Sequence, residues 1–388
     1  MMATEIVQVD LSSAPATIRV RDDVEAVLLV ITADGRPIQL LRRPRPPEGV
    51  LLTDEILRST QAAAATTLPS RNALAPVSVI VCTHERPDDL VRCLESLAGS
   101  DRNGHEVIVV DNAPATNRTS TVVERFGMRY VIEPRLGLNR ARNTGIANAT
   151  HDVVAFVDDD VVVSQSWLRA IGACFADSAV GCATGLVLPL ELETEAQETF
   201  ELYCQYRRST RPRVYSRAVL RSSAAAVVGI GANMAYRRQL LIDLGAFDVR
   251  LDAGTPTRAG GDTDMFARVL DAGHLIAYTP AAYVWHRHRR SARELRSAVF
   301  GYSVGTYSVL TKRLFEQRDL GALVTAGKWL IGPLMTAARA TLARRTSLPW
   351  NVVLADTAGA ACGPFCFGYE AWRRRKHASR VPMRRYSN

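Results

Sequence analysis

The chain contains no C-x-x-C pair: its seven cysteines are scattered, and the two nearest, Cys362 and Cys366, have no histidine beside them. That spacing argues against a structural zinc and fits reduced, mostly buried thiols in a cytosolic protein. A clean membrane span is also missing, since one needs about 20 mostly uninterrupted apolar residues. The two apolar C-terminal stretches, about 318–344 and 350–372, are interrupted by Lys328, Pro333, Arg339, Asp356 and Pro364. At the N-terminus Glu5 and Asp10 intervene and no apolar core region follows, so no signal peptide is expected.

Positive charge is concentrated rather than general. Of the formal net charge of +9, Arg373, Arg374, Arg375, Lys376, Arg380, Arg384 and Arg385 supply seven with no acid among them, leaving +2 for the rest. Helices ending in such a tail fit an anionic cytoplasmic membrane surface, and equally a solvated end behind helices that pack on the main domain. A second cluster, Arg207, Arg208, Arg211, Arg213, Arg217 and Arg221, has only Tyr206 and Tyr215 interleaved and no accompanying motif, so nucleic acid is not an expected partner.

What the chain does have is three consecutive carboxylates, Asp158, Asp159 and Asp160, at the exit of the apolar run Val153–Val157. A β-branched run reads as a buried strand, and its C-terminal end is where open α/β sheets bind ligands. Like charges so close want a cation, and oxygen donors suit Mg2+ or Mn2+ carrying a phosphate substrate. The same triplet also fits a solvated acidic turn before the helix beginning near Ser164.

Other strands repeat the pattern. Val77–Thr83 leads through His84, Glu85 and Arg86 to Pro87 and an amphipathic helix; 106–110 ends in Asp111 and Asn112; 129–132 ends in Glu133. Alternation of strand and helix predicts an α/β fold whose C-terminal edge collects Thr83, Glu85, Asp111, Arg142 and the three aspartates. Before it, residues 1–68 form a small β-rich domain with a hairpin through Asp34-Gly35, and 69–75 a linker. The main domain spans 76–290, a helical extension 291–372, and a basic tail 373–388.

The pieces VSVIVCTHERPDDL, VIVVDNAP, GLNRARNTG, VVAFVDDD, GANMAYRR, GGDTDMFARVLDAG and VWHRHRR, in this order, resemble the inverting family 2 glycosyltransferases of the GT-A fold, a mainly parallel sheet flanked by helices. The resemblance implies transfer of a sugar from a nucleotide-diphospho-sugar to a hydroxyl. Thr83, Glu85, Asp111 and Arg142 would bind the nucleotide, with Asn112 beside Asp111 and Arg140 competing with Arg142. A pyrimidine donor is implied, UDP or dTDP. Asp160 would be the direct ligand of Mg2+ or Mn2+, with Asp158 and Asp159 on ribose or metal-bound water, and His286 or His288 as a further contributor. The family commonly shows Glu-Asp where this chain has Gly261-Asp262; Asp262 then inherits the role of general base, with Asp264 as the fallback.

The acceptor site would fall near the second arginine cluster, which suits a phosphorylated or lipid-linked acceptor. Peripheral attachment to the inner face of the plasma membrane goes with this reading. Two others stay open: a nucleotidyltransferase, although Thr83–Asp89 lacks the glycine-rich, lysine-bearing loop it would want, and an inactive binding scaffold.

Overall fold

The computed structural model describes residues 3–54, 76–100, 104–204, 209–342 and 348–378. The expected linker at 69–75 and the arginines at 207, 208, 380, 384 and 385 lie outside these residues. The N-terminal piece holds β1 (Thr4–Asp10), β2 (Thr17–Arg19), β3 (Ala26–Ala33), β4 (Arg36–Pro44) and β5 (Val50–Leu52). β3 runs parallel to β1 and antiparallel to β4. The β3–β4 turn has positive φ at Asp34 (50°) and Gly35 (71°), the two-residue hairpin geometry that the Asp-Gly pair favours. Period-two alternation sorts the apolar run of β3. Val27, Leu29 and Ile31 enter the piece's own core, while Val30 joins Leu186, Leu188, Tyr278 and Tyr283 of the main domain.

The main domain contributes β6 (Val77–Thr83), β7 (Glu106–Asn112), β8 (Arg129–Glu133), β9 (Val153–Asp158), β10 (Val161–Val163), β11 (Val180–Pro189), β12 (Arg213–Tyr215), β13 (Asn233–Arg237) and β14 (Leu275–His286). Their order is β10-β14-β11-β13-β9-β6-β7-β8, with β12 beside β14. Pairing is parallel from β9 through β6 and β7 to β8, and between β11 and β14. β13 runs antiparallel between β9 and β11, and β10 and β12 antiparallel to β14. The sheet is therefore mixed, and its parallel half holds the uncharged β-branched runs of β6 and β9.

Helices α1 (Pro87–Gly99), α2 (Arg118–Arg125), α3 (Leu138–Asn148), α4 (Trp167–Ala173), α5 (Glu195–Cys204), α6 (Arg238–Asp243) and α7 (Gly261–Asp271) belong to this domain. Alternate strand residues face two cores. Val79, Val81 and Val109 pack with Leu90, Leu94 and Trp167, whereas Ile80, Ile108 and Phe156 pack with Tyr236, Phe247 and Phe266. Burying each such side chain is worth about 1.5–3 kcal/mol. Buried Asn233 fastens three strands and a helix: its amide donates to the carbonyls of Leu186 and Ala282, and its oxygen accepts from the Trp167 indole at 2.9 Å.

Three long helices follow: α8 (Ala292–Glu316), α9 (Gly321–Leu342) and α10 (Trp350–Ala378). Ser291 and Glu294 form a capping box at the start of α8. α10 lies close along α8 because Gly359 and Gly363 have no side chain there; a Cβ on Gly363 would meet Tyr307 Cβ at 2.6 Å. Pro333 and Pro364 sit within continuous helix. Contrary to the sequence expectation, Trp350–Lys376 is long and apolar enough to cross a membrane by length and composition; one third of its apolar window is buried against the protein.

Candidate active site

Parallel register brings the strand ends together. Cys82 pairs with Asp158, and Thr83 with Asp111, on neighbouring strands, while His286 at the end of β14 pairs with Val161 just after the three aspartates. Asp159 is buried and accepts from the Thr83 hydroxyl at 2.8 Å; Arg86 Nη1 reaches both Asp159 and Asp160 at 3.3 Å. Burial, then the charge of Asp160, lifts the Asp159 carboxyl to about 7.

Asp160 is 8% exposed. Burial works against its ionisation, but His286, Arg86 and Arg289 overcome this and hold its carboxyl below the usual range. His286 Nε2 stands 3.2 Å from Asp160 Oδ1, yet that oxygen has no aligned hydrogen-bond donor. Burial pushes the His286 imidazole down and the Asp160 charge more than reverses this. Asp158 is pushed up by burial against the pull of Arg142, whose Nη2 lies 3.8 Å away. One donor atom each from Asp158, Asp160 and His286 lies within 4.8 Å of the others. Two carboxylate oxygens and an imidazole nitrogen, one oxygen buried without a donor, fit a hard or borderline divalent cation with open positions for substrate oxygens.

Across from them is the start of α7. Asp262 Oδ2 accepts the Gly231 amide at 2.8 Å and Oδ1 the Thr263 amide at 2.8 Å. Gly231 is the spacer between Asp262 and the buried Arg142: a Cβ there would stand 2.6 Å from Arg142 Nη2 and 3.3 Å from Asp262 Oδ2. Arg142 is also held by Asn139 Oδ1 at 3.2 Å and lies over the Phe247 ring. The same Asn139 donates to the carbonyls of Asp248 and Leu251 and occupies the space where a Cβ on Gly261 would go. An acid at 261 would have to displace Asn139.

Asp264 faces away. It is 1% exposed and paired with Arg268 at 2.9 Å and Lys312 Nζ of α8 at 2.7 Å. His288 likewise turns from the aspartates: its Nε2 meets Glu201 at 2.6 Å, and its Nδ1 lies 3.3 Å from His286 Nδ1. Glu85, at φ 53°, accepts the amides of Ala115 and Thr116 and so shapes the loop after β7. Asn112 is spent inside the protein, donating to the Arg135 carbonyl and accepting from the Gly137 amide. Asp111 is fully buried; Tyr130 donates to its Oδ2 at 2.8 Å, while Oδ1 has no partner.

Three groups at the site were not singled out from sequence. Arg86 and Arg289, 3.3 and 4.0 Å from Asp160 Oδ2, are the nearest cations to it, and both stand inside the motifs HERPDD and HRHRR. Asp252 carried no sequence signal: from a loop it accepts the Asn139 amide at 2.9 and 3.0 Å, capping α3, and burial lifts its carboxyl to about 6. The described part of the arginine cluster lies elsewhere. Arg213 pairs with Tyr278, which the β11 register places five positions before His286, or roughly 17 Å along the sheet.

Residues 78–245 match the family model described as glycosyl transferase family 2. A pre-mycofactocin glycosyltransferase of Mycobacterium tuberculosis is 28% identical over 297 residues, covering 75% of this chain and 54% of the relative, so the chain spans about half that relative's length. An N-acetylglucosaminyltransferase of Sinorhizobium fredii is 25% identical over 334 residues, covering 80% and 79%. Among solved structures, a mannosyltransferase of Pyrobaculum calidifontis aligns at 17% identity with a TM-score of 0.47, covering 85% and 81%. Residues 78–245 of the chain are thus similar to a family 2 glycosyl transferase domain, and the relatives named here are themselves glycosyltransferases.

Proposed function

We propose that the chain transfers a glycosyl group from a nucleotide-diphospho-sugar to an acceptor hydroxyl, with inversion. The observation that carries this is one connected set of groups: the donor atoms of Asp158, Asp160 and His286, Arg142 at 3.8 Å from Asp158, and Asp262 beside Arg142 with Gly231 between them.

Each residue then has one task. Asp262 removes the acceptor proton; both its oxygens already accept one backbone amide, which holds the carboxylate in place and leaves a lone pair on each. The acceptor oxygen bonds to the anomeric carbon as the bond to the diphosphate breaks, and the nucleoside diphosphate leaves with the electron pair. General-base help is worth about 10² to 10⁴ in rate. Asp158, Asp160 and His286 would hold a divalent cation, which when bound would supply positive charge to the departing diphosphate. The imidazole ligand favours Mn2+ over Mg2+, which prefers oxygen donors and keeps its waters. Arg142, held by Asn139 and the Phe247 face, adds fixed positive charge beside the same cleft. The resemblance puts Asp111 at the base, where its carboxylate, buried in this structure and held by Tyr130, would accept an N–H such as the imide of uracil or thymine, so UDP and dTDP sugars are the favoured donors. Asp264 and His288 serve as buried structural partners of Lys312 and Glu201.

The test is to incubate the protein with Mn2+, acceptor and a panel of UDP, dTDP and GDP sugars and to measure free nucleoside diphosphate. Release that Asp262→Asn abolishes while donor binding persists is expected. Pyrophosphate made from a sugar phosphate and a nucleoside triphosphate would identify a nucleotidyltransferase instead.

A further inference from the structure

The C-terminal helices carry a surface that the transfer chemistry does not use. On α10 the residues Trp350, Leu354, Phe365, Tyr369 and Trp372 are all exposed, Phe365 at 79%. Their spacing of 4, 11, 4 and 3 places them on one side of a helix, the side opposite Gly359, Gly363 and Phe367, which pack inward. From Trp350 to Trp372 the stripe runs about 33 Å. Neighbouring α9 exposes Leu323, Val324, Ile331 and Met335, and contains no acidic residue.

The charges follow the same division. Both acids of α10 point into the protein: Asp356 accepts from Tyr203 at 3.0 Å, and Glu370, 0% exposed, is held by Arg373 and Arg374. The stripe ends in the exposed Arg375 and Lys376, with Lys376 Nζ 5.0 Å from the centre of the Trp372 ring. Arg374 ties this basic end to the main domain by donating to the Val249 carbonyl at 2.8 Å.

We propose that this stripe is a docking surface for an anionic lipid bilayer, on which α10 lies flat. Exposed apolar residues with tryptophan and tyrosine among them, flanked by cations and free of exposed acid, are what the headgroup boundary accepts. Lying rather than crossing follows from the packing, because the opposite side of α10 is fastened along α8, with the Ser308 hydroxyl donating to the Gly363 carbonyl at 3.0 Å. A second copy of the chain is the poorer occupant: its stripe is equally free of exposed acid and offers Arg375 and Lys376 no counter-charge. The inference is independent of the proposed transfer activity.

The test uses the full chain and vesicles of phosphatidylcholine with or without about one third phosphatidylglycerol, read by flotation. The expected result is flotation with anionic vesicles at low salt, at least tenfold weaker with neutral vesicles or at high salt. Phe365→Glu with Trp372→Glu, and separately Arg375→Glu with Lys376→Glu, each weaken it at least tenfold while circular dichroism is unchanged. Wild-type tryptophan emission is quenched by brominated acyl chains, a readout that needs no variant. Absence of flotation and of quenching at low salt would overturn the proposal. So would a lipid-free dimer in sedimentation velocity that the Phe365→Glu, Trp372→Glu pair dissolves, which would make the stripe a self-association face.

Discussion

Replacing Lys312 with methionine tests how α8 supports the turn that carries Asp262 and Asp264. Lys312 is buried between Asp248 Oδ2 at 2.8 Å and Asp264 Oδ1 at 2.7 Å. Around it, Arg268 pairs with Asp264, and Arg250 pairs with both Asp248 and Glu316, so three cations balance three acids. Methionine keeps most of the volume and removes one charge, leaving a net negative cluster. At an effective dielectric of about 20, each contact at such a distance is an attraction of about 6 kcal/mol before desolvation. Losing one partner of a buried pair typically costs about 3–5 kcal/mol. The remaining arginines favour the lower end, near 3 kcal/mol, or a fall in Tm of roughly 6–12 °C at 2–4 °C per kcal/mol. Thermal unfolding followed by circular dichroism measures it. Adding Asp264→Asn restores charge balance, so the double variant should be less destabilised than the sum of the singles. A Tm within about 1 °C of wild type, or strict additivity, would refute the idea that these charges act as one cluster.

The remaining tests concern the cleft itself. Asp262→Asn should retain donor binding and lose on the order of 10² or more in turnover, whereas Asp264→Asn should act first on thermal stability; turnover that ranks the two in reverse order shifts the base by two residues. Asp160→Ala, and chelation of the wild type with EDTA, should each remove Mn2+-dependent nucleotide sugar binding in a calorimetric titration, and unchanged affinity would overturn the metal assignment. Restoring the acid common in the family by Gly261→Glu should lower Tm and turnover together, because the new Cβ displaces Asn139 and through it Arg142; a variant as stable and active as wild type would show that Asn139 moves freely.

The parallel half of the sheet and the set of polar groups at its edge were legible in the sequence, because uncharged β-branched runs such as Val77–Thr83 and Val153–Val157 end abruptly in acids. The Asp34-Gly35 turn was equally plain. β13 was not, since Asn233–Arg237 mixes polar and apolar residues and is buried by strands on both sides. Within the site, spacing could not separate Asp262 from Asp264: two residues on a helix point roughly 200° apart, and only the position of α8 decides which one meets Lys312. His286 and His288 pose the same problem where β14 gives way to a loop, and the partner that turns His288 aside, Glu201, comes from α5. Asp252 was invisible because capping from a distant loop leaves no local pattern.

The seating of the turn that carries Asp262 on α8 bears on where this chain's cooperative unit ends. Gly260, at φ 107°, lies so close to α8 that a Cβ would stand 2.8 Å from the Gly305 carbonyl oxygen, and Asp264, four residues on, is fixed by Lys312 from the same helix. The family match stops at residue 245, before either acid of α7. A boundary drawn after Arg290, where the sheet is complete, would leave Asp262 on a turn with no floor and Asp264 with Arg268 as its one remaining partner. In folding terms α8 is therefore an internal element of the main domain, and Gly305 is under the same steric demand as Gly231 and Gly261 although it lies in a different segment of the chain.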